Sequence, residues 1–276
     1  MKNVHVAFLL SALLLLAACD STDAGEADDL IVVEAFLYAG EPVNDIHLST
    51  VIPLDSEDSL ATPINDADVR LVKDGMTYAL TPSGDDGSYF YGGDDLIVET
   101  GDVFQLEVDR GGTHITAETT VPAPPTGVAM TQDALVVPDF EGNRFALREF
   151  FQNGENALSV TWDNSDEELY FVAIRSPASN NPDYILPEFV RERFAGFELV
   201  TEPTTANFYD ILLFSLEIIG SYETTVYRIN QEYADLYENR EQDSRDLIEP
   251  PTNVAGGLGV FSAFNGRSTT FQIVRE

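Results

Sequence analysis

Glycine, proline, asparagine and aspartate interrupt this chain every eight to fifteen residues or so, and no stretch between them keeps a helical period for long. Segments of that length suit strands of about five or six residues better than buried helices. Residues 30–37 (LIVVEAFL) supply a first strand rich in β-branched residues. Val69 and Leu71 alternate with Asp68 and Arg70, which gives one buried and one wet face. Residues 87–93 (GSYFYGG) set Tyr89 and Tyr91 on one side and Phe90 on the other. Phe104, Leu106 and Val108 alternate with polar residues as far as Asp109-Arg110-Gly111-Gly112, a turn whose glycines can adopt positive φ. Ile115, Ala117, Thr119 and Val121 continue the alternation on the return strand. About seven short strands in roughly 90 residues predict an immunoglobulin-like or transthyretin-like β-sandwich over residues 30–122.

Pro122-Ala123-Pro124-Pro125 then breaks the pattern. Three prolines in four residues cannot pair as a central strand, so residues 123–126 are a stiff linker and a domain boundary. Strands resume in residues 127–276. Leu158, Val160 and Trp162 share one face, and Asn164-Ser165-Asp166 turns the chain into residues 169–175 (LYFVAIR). That predicted hairpin is similar to the middle strands of a fibronectin type III module. Residues 208–219 form another apolar run, with 224–229 as its expected partner. One helix is predicted over 231–240, where Tyr233, Leu236, Tyr237 and Arg240 share a face. Two final strands are expected at 260–264 and 270–274, and residues between about 177 and 203 have the character of an insertion. The expected fold is all-β, with two β-sandwich domains, the second fibronectin type III-like.

The N-terminus carries an address. Lys2 precedes an apolar run from about Val6 to Leu16 that ends in Ala17 and Ala18. At about 1.5 Å per residue such a helix is too short for a hydrocarbon core of about 30 Å, and its layout over residues 1–18 is that of a secretory signal. Cys19, the single cysteine of the sequence, follows directly. Leu16-Ala17-Ala18-Cys19 resembles the lipobox of bacterial lipoproteins. The resemblance implies cleavage between Ala18 and Cys19, lipidation of the Cys19 thiol and acylation of its new amine. Residues 19–29 then form a lipidated acidic tether. Five of its last ten residues are acidic and none is apolar beyond alanine, so it cannot offset its ordering entropy by burial. Ten residues reach at most about 35 Å, which leaves the body near the bilayer and outside it.

Charge narrows the partners. Without residues 1–18 the chain has 13 basic against 48 acidic residues, a net charge of −35, and Lys73 is its single lysine. Such a surface repels nucleic acid and anionic lipid. Its self-repulsion is relieved where the Debye length falls to about 3 Å, near molar salt, so the composition points to a saline setting.

A search for chemistry finds little. The mature chain has two histidines, His47 and His114, and no nucleophile elbow, zinc-binding or phosphate-loop motif. His114 reads as a solvated strand residue. With 48 acids, close carboxylate pairs are inevitable and carry no information. Asp85-Asp86-Gly87, Asp94-Asp95 and Asn65-Asp66-Ala67-Asp68 supply oxygens for a hard cation, yet none fits the EF-hand spacing, and Arg70 follows the last. Solvated loop tips are the simpler reading. Trp162 and the Tyr89–Tyr91 pair could stack on a sugar, but Trp162 alternates with Leu158 and Val160 and so belongs to a core. No catalytic residue, metal or cofactor is expected, and the chain reads as a non-enzyme.

Residues 249–261 (EPPTNVAGGLGVF) stand out as a proline-stiffened approach to a glycine turn that feeds a strand. Asn253, Gly256, Gly257, Gly259 and Phe261 are assigned as a structural loop, with Phe261 pointing inward. The rival assignment makes the loop a contact surface. Taken with the lipobox, an early I-V-V-E-A-F strand and T-T-V-P at residues 119–122, the segment N-V-x-G-G-L-G-V-F is similar to an uncharacterised lipoprotein family, domain of unknown function 4249. The resemblance implies an outer-membrane lipoprotein of the kind often encoded beside TonB-dependent transporters, and it carries over no catalytic residue. Two functions follow as expectations: a binding or accessory module for such a transporter, or a structural or adhesive surface spacer. The expected partners are the lipid bilayer, through acylated Cys19, and a TonB-dependent transporter. The ligand and the face of the outer membrane stay open.

Overall fold

Strand-forming alternation dominates wherever the chain is described. The computed structural model describes residues 30–51, 60–140, 144–152, 157–176, 181–188, 199–240 and 252–276, and the fold is mostly β with several open sheets. The chain enters through β1 (Ile31–Tyr38), whose residues alternate inward and outward, and returns along β2 (Asp45–Thr50). A tight pair, β3 (Asp68–Lys73) and β4 (Met76–Ala79), turns at Asp74 and Gly75, both at positive φ. Two consecutive positive φ values match the twist of a two-residue hairpin. After the short β5 (Thr81–Pro82) and β6 (Ser88–Phe90), a second hairpin joins β7 (Val103–Arg110) to β8 (Thr113–Thr120) through Gly111 and Gly112.

Two sheets close over one core. Val33 and Leu37 of β1 and Ile46 and Leu48 of β2 meet Leu71, Phe104, Leu106 and Ile115 from β3, β7 and β8, all buried. Residues 121–128 are not in strands, as three prolines dictate. The second half contains β9 (Ala129–Met130), β10 (Ala134–Val137), α1 (Arg144–Gln152), β11 (Leu158–Thr161), β12 (Tyr170–Arg175), β13 (Phe208–Ile211) and a 3-10 turn at Leu213–Ser215. β14 (Gly220–Arg228), α2 (Gln231–Arg240), β15 (Val254–Ala255) and β16 (Leu258–Arg275) complete it. An eight-stranded sheet runs β12-β14-β16-β1-β2-β6-β5, with β10 also paired to β16. A five-stranded sheet runs β15-β8-β7-β3-β4, and a three-stranded one β13-β11-β9. Trp162, Tyr170, Val172, Tyr222, Phe271 and Ile273 belong to the second core.

The structure corrects three expectations about strands. The two final strands expected at 260–264 and 270–274 are one strand of 18 residues, β16. Its first part pairs in parallel with β1, from Val32↔Leu258 to Tyr38↔Phe264, and its second part pairs antiparallel with β14, from Arg228↔Asn265 to Gly220↔Ile273. The Asn265-Gly266 step that looks like a break is extended; a side chain at Gly266 would meet the Tyr227 ring at 2.7 Å. The glycine there makes room for an aromatic neighbour and turns nothing. Residues 158–162 and 169–175 do not form a hairpin, because β11 pairs with β13 and β9 while β12 pairs with β14. Between them Asn164 accepts from Glu168 N (2.9 Å) and donates to Thr205 O (2.8 Å), and Glu167 has φ +55°, so the chain crosses from one sheet to another. For the same reason residues 208–219 are not one strand facing 224–229. β13 ends at Ile211, and β14 is flanked by β12 and β16.

A second helix, α1, was not foreseen; α2 lies where the sequence places a helix. Residues 127–276 are not spatially separate from 30–122, since Val254, Phe261 and Ala263 are buried in the first core. On the opposite face of the eight-stranded sheet, Ala234 and Tyr233 of α2 cover Phe36, Tyr38, Phe171 and Phe264.

Candidate functional site

The glycine-rich segment is a joint that seats β16 against β1. Gly256 and Gly259 have φ values of +85° and +105°, a region that residues with a Cβ rarely adopt. Space is short as well. A Cβ on Gly256 would lie 2.5 Å from His114 O. One on Gly257 would lie 2.9 Å from Ile31 O, and one on Gly259 would overlap the Val33 peptide, 2.9 Å from its nitrogen. Asn253 explains why the turn must be so tight. Its side-chain amide behaves like a further strand residue: Oδ1 accepts from Phe261 N (3.0 Å), and Nδ2 donates to Phe261 O (2.6 Å) and Glu118 O (3.2 Å). Thr252 Oγ1 donates to Gly259 O (2.7 Å). Phe261 is fully buried in the first core.

Three of the four sequence signatures that carry the resemblance meet at this joint. I-V-V-E-A-F is part of β1, the parallel partner of β16, and T-T-V-P ends β8. Thr119 Oγ1 donates to Glu232 Oε1 (2.8 Å), which also accepts from Ser262 Oγ (3.3 Å). Asn230 Nδ2 donates to Thr119 Oγ1 (3.1 Å) and Thr120 O (2.8 Å), and Asn265 Nδ2 to Pro122 O and Thr100 Oγ1 (2.8 Å each). Thr119, Ser262 and Asn265 are buried, and each has its partner. A satisfied polar network in low dielectric fixes one arrangement of the groups it joins. Sequence reasoning missed Thr119, Asn230, Glu232 and Asn265. The T-T-V-P signature was a usable signal for Thr119 alone. A recess of about 270 Å³ beside the joint is lined by Glu232, Asp235, Thr252 and Asn253, and three of these four already serve the joint itself.

Elsewhere the chemistry-bearing residues are engaged inside the fold. His47 Nδ1 lies 3.0 Å from Ser88 Oγ and its Nε2 3.2 Å from Asp45 Oδ1, a Ser-His-Asp trio formed across the β2–β6 pair. Acyl transfer also needs N–H donors aimed at a developing oxyanion. The nearby N–H groups of Gly87 and Ser88 are donated to Asn65 Oδ1 and Asp86 Oδ1 instead. Tyr38 donates to Asp45 Oδ2 (3.1 Å); burial, with the carboxylate beside it, pushes its phenol well above the usual range. His114 is exposed on β8 with Nδ1 2.8 Å from Asp109 Oδ1, and that hydrogen bond, with Arg70 adding to it, holds the Asp109 carboxyl below the usual range. Lys73 is mostly buried, 2.5 Å from Asp102 Oδ2 and 2.8 Å from Ile97 O, with the Phe104 ring beneath it. Among the described residues no group of three or more His, Cys, Asp or Glu is arranged to hold a metal ion.

Trp162 is buried against Tyr170 and Tyr89 is buried in the first core. Tyr91 donates to Asp95 Oδ1 (2.5 Å), which raises its phenol to about 12. Among the described residues no helix is long and apolar enough to cross a membrane. Ala18 and Cys19 lie outside the described residues.

No curated protein matches the chain. The family described as a domain of unknown function, DUF4249, matches residues 20–270, nearly the whole sequence beyond the signal-like segment. The chain belongs to that family.

Proposed function

We propose that this chain is a lipoprotein of the bacterial outer membrane, cleaved between Ala18 and Cys19 and acylated at Cys19. Its folded body is a binding or accessory module for a TonB-dependent transporter and performs no catalysis. Leu16-Ala17-Ala18-Cys19, set between an apolar run and an acidic tether, carries this reading. Two or more acyl chains at about 0.8 kcal/mol per buried methylene hold a protein durably on a membrane. In the same proposal the first core is an immunoglobulin- or transthyretin-like sandwich and the second a fibronectin type III-like one. Cys19→Ser tests the anchor: the variant should accumulate as uncleaved precursor or leave the detergent phase. Fractionation with membranes like the parent sinks the lipoprotein reading. Co-purification of a transporter from detergent-solubilised membranes supports the accessory role, whereas its absence favours a surface spacer.

A further inference from the structure

β16 contributes side chains to both cores and to the aromatic cluster between them. Phe261 and Ala263 are buried in the first core, Phe264 in the cluster beneath α2, and Phe271 and Ile273 in the second core. Both of its edges are occupied. One edge pairs with β1 and then with β10, from Val32↔Leu258 to Tyr38↔Phe264 and from Ala134↔Gln272 to Val137↔Arg275. The other pairs with β14, from Arg228↔Asn265 to Gly220↔Ile273. β15 extends the grip to the five-stranded sheet, since Val254 and Ala255 pair with Ala117 and Thr116 of β8. At the far end Arg275 donates to Asp183 Oδ1 and to Tyr184 O, each at 2.8 Å, and so closes one wall of a cavity of about 550 Å³.

Without β16 the eight-stranded sheet would fall into β12-β14 on one side and β1-β2-β6-β5 on the other, with β10 left alone. The backbone groups that β1 and β14 turn toward β16 would lose their partners, a state that buried strands do not tolerate. The second half would be reduced to a two-stranded ribbon facing the three-stranded sheet, and such ribbons are marginal on their own. The first half would lose Val254, Phe261 and Ala263 from its core, and the Phe36 and Tyr38 rings would lose Phe264. Sequence distance sets the order of events. The β3–β4 and β7–β8 hairpins join neighbours in the chain, whereas β1 and β16 are more than two hundred residues apart. Pairing at that separation meets the loop-closure cost before any contact rewards it, so it comes late.

We propose that β15–β16 is a closing strand shared by both halves: neither core completes without it, and a chain delivered from its N-terminus stays open until residues 252–276 arrive. Under the lipoprotein reading, on which this one clause rests, folding then waits for complete passage across the membrane that the signal segment enters. Hydrogen exchange followed by mass spectrometry tests the closing strand on the full chain in non-ionic detergent. Phe271→Ala empties a site in the second core. The slowest amides of β7 and β8, in the first half, should nonetheless lose protection by the same factor as those of β12 and β14, about a hundredfold or more. Phe261→Ala should do the same from the first core. Where either variant fails to fold, Ile273→Val, one methylene smaller, should lower both halves equally, by about two- to tenfold. Protection lost in the altered half alone would overturn the proposal. So would refolding, pulse-labelled from denaturant, in which β1 and β2 reach native protection before β16; all three should do so in one phase. Cys19→Ser should leave both measurements unchanged, so a failed anchor and a failed closing strand are told apart.

Discussion

Alanine at Gly259 separates two costs that a glycine can hide. The φ of +105° alone penalises a Cβ by about 1–3 kcal/mol. The second cost is contact: the new carbon would fall on the Val33 peptide, whose carbonyl carbon is 2.8 Å away. Backbone cannot rotate aside as a side chain can, so β1 and β16 must part locally. Losing one or two ladder hydrogen bonds at about 1 kcal/mol each brings the expected loss to about 2–5 kcal/mol. Gly40 provides the control, since it has φ +79° and a Cβ placed there would have nothing within 4 Å. Gly40→Ala should therefore show the conformational cost alone, about 1–2 kcal/mol. In a domain of this size 1 kcal/mol moves Tm by about 2–4 °C, so the two variants should differ by several degrees in a thermal melt. Denaturant titration checks that both unfold with the same m-value. If Gly259→Ala loses no more stability than Gly40→Ala, the contact argument fails and the joint tolerates a side chain.

Two further outcomes follow from charge. At a net charge of −34, Tm should rise as salt goes from low to molar concentration, and a flat or falling Tm contradicts the saline reading. The carboxyls of Asp66, Asp86 and Asp109 are held low chiefly by hydrogen bonds from Arg110, Ser88 and His114 respectively. A carboxyl held lower in the folded state stabilises while ionised, above its unfolded value of about 3.9, and that stability goes as pH falls through the folded value. Measured in molar salt to suppress general repulsion, Asp109→Asn should be less stable than the parent at pH 6. The gap should close below about pH 4, and a constant gap refutes the linkage.

Local patterns were legible in the sequence, and long-range pairing was not. Alternation fixed the faces of β1, β3, β7 and β8, because a half-buried strand cannot hide its period of two. The glycine joint was visible as a turn entering a strand. Its purpose was not, since Asn253 acts through backbone eight residues on and Gly259 through β1, more than two hundred residues away. The hairpin expected at Asn164-Ser165-Asp166 failed because turn residues serve a crossing between sheets as readily as a hairpin. α1 escaped although Gly142-Asn143 and Asn153-Gly154 bracket its nine residues, a stop signal at each end. The cavity at Arg275 had no sequence signal, as its walls come from three separate stretches of chain.

The parallel pairing of β1 with β16 has a mechanical side. Force from a tether before Leu30 would pull β1 from its first residue, while a load at the Arg275 end would pull β16 from its last. Neighbouring parallel strands drawn from opposite ends are sheared, so their ladder bonds share the load and do not open one after another. Under the proposed anchoring, the line from the tether to the far end of β16 therefore runs through the pairing best suited to bear tension, with the glycine joint at its head.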